Sequence, residues 1–318
     1  MKISIVIPNY NGAILLKKNI PRLLRVLEQY IAKTKNTIEL FIVDDYSQDD
    51  SIAVIEEIQK QHNTSSVRFR LITKTKNSGF SPTVNLGAKH ATGEVLVLLN
   101  SDAYPEDDFI TPFLHHFKSN DLFAVGFMDK SIEEGRIVLR GRGIGRWKRG
   151  FLIHKKGGVD KETTLWVNGG SGAFRKKTWD LLGGMDELYS PFYWEDIDLS
   201  YRALKSGYTV RFEKKSTVVH EHEKGAIVKT YTKDQVQQIA YRNQIMFTWL
   251  NATDTTILIS HFIWFPIQTV QAILRWDINF LKGFFSAFLL FPNILQSRDV
   301  RKSLFRLSDQ AVITSVET

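Results

Sequence analysis

The stretch Val95-Leu96-Val97-Leu98-Leu99-Asn100-Ser101-Asp102-Ala103-Tyr104-Pro105 decides how this chain is to be read. Five apolar residues run without alternation, the length and Val/Leu content of a strand buried on both faces. They stop on Asn-Ser-Asp. A carboxylate directly after such a strand falls at the carboxyl edge of the sheet, where open α/β sheets bind ligands. The plain alternative is a turn: Asn, Ser and Asp suit loops, and Pro105 can open the next helix. The neighbouring sequence favours the sheet edge. Strand-like runs at Ile3–Ile7, Ile38–Val43, Val67–Ile72 and Leu122–Phe127 alternate with helical patterns over Ile14–Ala32, Asp49–Gln61 and Glu106–Phe117. Ser81 and Pro82 read as N-cap and first residue of a further helix reaching Ala91. Such alternation predicts a parallel sheet with helices on both faces.

Composition bounds the rest. The 318 residues suffice for one large α/β domain with an extension, and 43% hydrophobic content is ample for a core. No Cys is present, which excludes a disulfide framework and a thiolate metal site and fits a reducing compartment. The start, Met1 to Pro8, reads as the first strand and not as a signal peptide. The net charge of +8 concentrates in Arg136–Lys161 and in Arg298, Arg301, Lys302 and Arg306. No nucleic-acid-binding signature accompanies either cluster, so a nucleic-acid partner is not expected. Asp129–Thr164 reads as a long mobile loop. Strands follow at Tyr208–Phe212 and Thr217–Val219, and helices start near Arg175 and Glu195. After Asp234 the chain is helical and aromatic. No Gly-x-Gly-x-x-Gly follows the first strand, which argues against a nicotinamide-dependent oxidoreductase.

Acidic clusters fall at three expected sheet edges: Asp44-Asp45, Asn100-Ser101-Asp102, and Glu195-Asp196-Ile197-Asp198. Asp198 and Arg202, four apart, are expected to pair on the helix surface. Asp196 has no such partner in sequence.

With Pro8-Asn9-Tyr10-Asn11-Gly12, Asn77-Ser78-Gly79-Phe80, Asn85-Leu86-Gly87 and Gly169-Gly170-Ser171-Gly172, these clusters make the chain resemble a family 2 glycosyltransferase of the GT-A fold, rhamnosyltransferase-like, over roughly residues 3–225. The resemblance implies a catalytic domain over 1–232. Residues 1–128 would bind nucleotide sugar and 129–232 acceptor, with a helical extension over 233–318. It implies an inverting transfer from a UDP- or dTDP-sugar, assisted by Mg2+ or Mn2+, in cell-surface polysaccharide or glycolipid assembly. Asp45 would read the base. Pro8, Asn9 and Tyr10 would wall the nucleotide, with Asp44, Asn77, Gly79, Asn85, Asn100 and Ser101 also on the donor side. Asp102 would hold the metal; Asn100 brings no charge where the family's Asp-x-Asp motif has its first Asp. His220 would be a second metal ligand, with His222 pointing away. Asp196 would be the general base, with Glu195 its rival. Gly169, Gly170, Ser171 and Trp194 would line the acceptor side. A catalytically silent sugar-nucleotide binder is the competing reading.

Ile257–Val270 and Phe280–Leu295 are apolar and aromatic, but neither is a clean span of about 20 apolar residues. With nearby Trp and basic residues they suit helices lying on a bilayer. The expected acceptor is a glycan or lipid-linked glycan at the cytoplasmic face of the inner membrane. A homodimer contact is the alternative use of the same helices.

Overall fold

The computed structural model describes residues 1–34, 36–62, 67–133, 135–220 and 230–317. A mixed sheet organises residues 2–220. Strand β1 (Lys2–Asn9) pairs in parallel with β2 (Thr37–Asp44) and β4 (Val95–Leu99), and β2 with β3 (Val67–Thr73). Beyond β4 the sheet is no longer parallel. Strand β10 (Ser171–Arg175) runs antiparallel between β4 and β6 (Leu122–Glu133). Strand β11 (Thr209–His220) lies parallel to β6 and antiparallel to a short β5 (Ala103–Pro105). The mostly parallel sheet expected from the sequence is present, and its antiparallel member β10 supplies no apolar run to announce it: it reads Ser-Gly-Ala-Phe-Arg.

Burial explains the opening stretch. On β4, Val95, Val97 and Leu99 face one core, with Ile3, Ile5 and Ile7 of β1 and with helices α1 (Ala13–Lys33) and α4 (Ile110–His116). Leu96 and Leu98 face the other, beside Val6 and the helices α3 (Phe80–His90) and α5 (Lys176–Leu181). Each such side chain contributes about 1.5–3 kcal/mol by leaving water. Helix α2 (Ser51–Gln61) packs on α1.

Several expectations change. Pro105 ends β5 rather than opening a helix; α4 starts only at Ile110. Helix α3 begins at Phe80, capped by Gly79 and not by Ser81. The two late strands are one, β11, with an irregular register between Glu213 and Thr217. The largest correction concerns Asp129–Thr164. It is not a loop: β6 continues to Glu133, β7 (Arg136–Arg140) folds back on it, and β8 (Gly143–Lys148) and β9 (Phe151–Lys156) form a separate hairpin. Asp129 and Ser131 are inward-facing polar residues, so the apolar pattern breaks where the strand does not. The β8–β9 ribbon is exposed along most of its length, and periodicity marks a strand only where one face is buried.

Helix α6 (Glu195–Lys205) is buried nearly all round, so Asp198 and Arg202 pair at 2.7 Å in the interior, not on the surface. The cover comes from α7 (Lys233–Asn251), α10 (Phe291–Lys302) and α11 (Asp309–Glu317). Arg301 of α10 reaches Asp198 at 2.7 Å and also Asp186. Lys205 meets Asp309 at 2.9 Å with both side chains fully buried. Burial raises the Asp198 pKa, but Arg301 and Arg202 outweigh it and hold the group at about 2. Between α7 and α10 lie α8 (Thr255–Leu274) and α9 (Ile278–Leu289). Contrary to expectation, α8 is long and apolar enough to cross a membrane by length and composition, while α9 and α10 meet at a 65° bend.

Candidate active site

The carboxyl ends of β1, β2 and β4 meet at one edge, and contacts between their loops gather the acidic clusters there. Asp102 follows β4. Its Oδ1 lies 3.2 Å from His220 Nε2 at the end of β11, and His220 Nδ1 lies 2.6 Å from Asp129 Oδ2. Burial lowers the His220 pKa, but hydrogen bonds and charge from Asp102 and Asp129 more than offset it and raise it to about 10. An imidazole anchored by one carboxylate and facing another is a donor set that suits a divalent cation, whose charge would replace that of the ring proton. Among the described residues no three His, Asp or Glu side chains form a metal cluster. Among the described residues, Asp102 and His220 are the pair that could face a cation together, leaving room for diphosphate or water oxygens.

The Gly169–Ser171 segment adjoins this turn directly. Asn100 donates its backbone N–H to Gly170 O at 2.9 Å. A Cβ on Gly170 would stand 2.3 Å from Asn100 Nδ2, so a side chain there would require the Asn100 amide to move. Gly169 N–H points at Asp196 Oδ2 at 3.4 Å. Ser171 is buried, with no hydrogen-bond partner for its hydroxyl among the described residues.

Asp196 and Glu195 open α6 with contrasting electrostatics. Burial raises Asp196 to about 6, against N–H donors from Ile197 and Gly169. Burial and the adjacent Asp196 push Glu195 well above the carboxylate range, and its Oε2 finds no partner among the described residues. Both carboxyls thus hold their protons more tightly than free carboxyls do, and Asp196 is the one with N–H donors from Ile197 and Gly169 to favour its ionised form. Tyr193 and Trp194, just before them, both adopt left-handed backbone (φ 73° and 77°), uncommon for bulky residues and held only by surrounding structure. Asn243 of α7 supplies that support: its Nδ2 donates to the carbonyls of Tyr189, Phe192 and Tyr193 at 3.2, 2.9 and 2.8 Å. Arg242 adds bonds to the carbonyls of Tyr189 and Ser190.

On the donor side, Asp45 accepts N–H groups from Ser78 (3.0 Å) and Gly79 (2.8 Å) and pairs with Lys74 at 2.6 Å. It therefore shapes the 78–79 loop. Gly79 has φ +91°, and a Cβ there would lie 2.9 Å from Pro191 Cα, so the close approach expected toward a nucleotide is made to Pro191. Asp44 turns inward: it accepts from Asn9 Nδ2 at 2.8 Å and from the N–H and hydroxyl of Ser47. Asn9 and Asp44 thus form a buried turn brace behind the wall, and Pro8 and Tyr10 remain partly exposed. Asn85 bridges to Met185 and Glu187, whereas Asn77 is exposed. The Ser101 carbonyl accepts from Asn19 at 2.9 Å. Trp194 is buried against His154 and Phe247. His222 lies outside the described residues.

Some site residues gave little sign in sequence. Asp129 sits in the supposed loop, though a histidine at a strand end calls for a second-shell partner. Asn243 is one polar residue in a helix. Tyr231 packs edge-on to Phe192 at 4.8 Å, and its hydroxyl pKa is raised by burial and by Tyr10 and Asp45, which places it beside the donor wall.

This curled mixed sheet, with acidic loops at its carboxyl edge, defines a GT-A fold. The structure superimposes over 100% of its length on 56% of GalNAc-T7 with UDP, GalNAc and Mn2+ (TM-score 0.71, 16% identity). It also covers 92% of S. aureus TarS 1-349 in complex with UDP-GlcNAc (TM-score 0.57, 15% identity). The family description Glycosyl transferase family 2 matches residues 4–182, more than half of the chain, and the chain belongs to that family. Among curated relatives, the dolichyl N-acetyl-alpha-D-glucosaminyl phosphate 3-beta-D-2,3-diacetamido-2,3-dideoxy-beta-D-glucuronosyltransferase of Methanococcus voltae is 32% identical over 110 residues. That match covers 34% of this chain and 31% of the relative, so the chain spans about a third of the curated relatives it matches.

Proposed function

We propose that the chain carries out an inverting transfer of a hexosyl or rhamnosyl group from a UDP- or dTDP-sugar to a glycan or lipid-linked acceptor. The pathway would be cell-surface polysaccharide or glycolipid assembly. The observation that carries this reading is the contact chain Asp102–Asn100–Gly170–Gly169–Asp196, which ties the phosphate-side carboxylate to the ionised base across two loops. Asp196 accepts the proton of the attacking acceptor hydroxyl, while Glu195 stays protonated beside it and keeps the buried pair from carrying two charges. Attack from the face opposite the leaving diphosphate inverts the anomeric centre. Asp102 and His220 would hold Mg2+ or Mn2+, and the ion's role is to neutralise charge on the departing diphosphate. Because these two are the ligands found among the described residues, metal and sugar nucleotide are expected to bind together. Asp45, already committed to the 78–79 loop, keeps that loop against the base and offers its remaining lone pair to a pyrimidine imino N–H.

Thermal shift and turnover over a panel of sugar nucleotides test this. A UDP- or dTDP-sugar is expected to stabilise the chain only with Mg2+ or Mn2+, and Asp196→Asn to keep that shift while losing turnover. An equal shift in EDTA would remove the metal from the scheme. Donor binding without turnover on any acceptor, in the intact chain, would favour the silent binder.

A further inference from the structure

Helix α8 carries no charged residue from Thr255 to Leu274. Its two faces differ sharply. One face docks on the protein: His261 contacts Gly150 O and Trp249 Nε1, both at 3.0 Å, and Phe265 packs against Phe151, Trp249 and Phe284. The opposite face runs Ile259, Phe262, Ile263, Val270 and Leu274, spaced along one side of a helix, and it is bare. Phe262 is 81% exposed and Leu274 74%. Phe285, Phe288 and Leu289 of the adjoining α9 extend this surface. A soluble monomer rarely exposes so continuous an apolar face.

The rim identifies the occupant. Trp276, 81% exposed, follows the helix next to Arg275. Arg149 lies over the Trp264 ring at 4.4 Å, at the tip of the β8–β9 hairpin. No carboxylate occurs between Arg136 and Val159, and Arg146, Lys148, Arg149, Lys155 and Lys156 of that hairpin are all exposed. An apolar face with Trp at its margin and unopposed cations beside it matches the interface of an anionic bilayer.

We infer that α8 and α9 dock the chain on an anionic lipid surface, with α8 lying in the plane of the membrane and not across it. The tether decides between lying and crossing. A helix bonded along one face to the β8–β9 hairpin and α7 cannot be ringed by lipid, so its length does not make it a span. The same hairpin carries His154 against Trp194, 4.8 Å between rings, next to Glu195. The membrane face and the acceptor end of the site thus share one rigid ribbon. This inference rests on the exposed surface alone and survives if the proposed donor or acceptor is wrong.

The test uses the full chain with sedimented vesicles of phosphatidylcholine, with or without phosphatidylglycerol. Binding is expected to need the anionic lipid. Phe262→Glu with Ile263→Glu should weaken it roughly tenfold or more, with the melting temperature unchanged because both side chains are exposed. Lys148→Ala with Arg149→Ala should weaken binding to anionic vesicles by roughly tenfold. The chain lacks cysteine, so Phe262→Cys and Leu274→Cys can each carry one environment-sensitive dye. Equal blue shifts and equal quenching depths support the flat pose; a deep dye paired with a water-exposed one overturns it. No sedimentation with either vesicle overturns the proposal. So does a twofold mass in light scattering that Phe262→Glu with Ile263→Glu abolishes, since a second copy would then cover the face.

Discussion

Replacing Asp196 with Asn should affect activity and stability in opposite directions, and both effects can be sized. The Asp196 pKa is raised from the ordinary 3.8 to about 6, with burial the main cause. As general base the group must be ionised, so kcat/KM is expected to fall about tenfold per pH unit below 6 and to level off above 7. Asp196→Asn should lower kcat by about 100- to 10,000-fold and remove that limb. Stability runs the other way. A carboxyl with a raised folded pKa binds more protons folded than unfolded between pH 3.8 and about 6, so stability falls as pH rises through that window. The cost is complete above it: the difference of 2.2 units, about 6 minus 3.8, corresponds to about 3 kcal/mol. Asp196→Asn should therefore raise the melting temperature by several degrees at pH 8 and by little at pH 4. The assays are a pH–rate profile with a saturating acceptor and paired thermal melts. The reasoning fails if the acid limb persists in Asp196→Asn but disappears in Glu195→Gln, which would exchange the two roles. It fails also if the melting gain is the same at both pH values, since the stored cost would then not come from ionisation.

Three further outcomes follow from the contacts. Asn243→Ala removes a donor from the carbonyls of Tyr189, Phe192 and Tyr193, of which Tyr189 keeps Arg242, and should cost about 1–3 kcal/mol in urea unfolding; because the Tyr193–Trp194 turn loosens, kcat should drop more than donor affinity. Arg301→Met leaves Asp198 and Asp186 short of a buried partner and should cost about 3–5 kcal/mol, part of it regained when Asp198→Asn is added. Gly170→Ala puts a methyl against Asn100 and should cost about 1–3 kcal/mol, with Asn100→Ala restoring most of the melting temperature in the double variant.

Much of the donor half is legible from sequence because its signals are local. Strands β1 to β4 read correctly to within a residue or two: each is a short apolar run, and helices cover both faces of the sheet. The Asn-Ser-Asp turn, Asp44-Asp45 and Glu195-Asp196 stand at element ends, where a loop-borne site is expected. The acceptor half is less legible. Polar residues such as Asp129 point inward on β6, and the basic β8–β9 ribbon buries little beyond Phe151, Leu152 and part of Trp147, too few positions to impose a period. Asp198 and Arg202 show why spacing alone misleads. Four residues apart they do pair, but the pair lies inside the protein because residues a hundred positions later cover it.

The sequence by itself determined most of the strands and helices in residues 1–128, the short β5 excepted, and which acidic residues stand at their ends, since hydrophobic period and turn chemistry act over a few neighbouring residues. Only the tertiary structure decided the rest. Asp44 became a turn brace while Asp45 holds a loop. Glu195 and Asp196, adjacent in the chain, both had their pKa values raised by burial, Glu195 also by the charge of Asp196. One face of α8 became protein contact and left the other bare. Burial, charge pairing and close approach depend on what arrives from distant parts of the chain, and no local pattern carries that information.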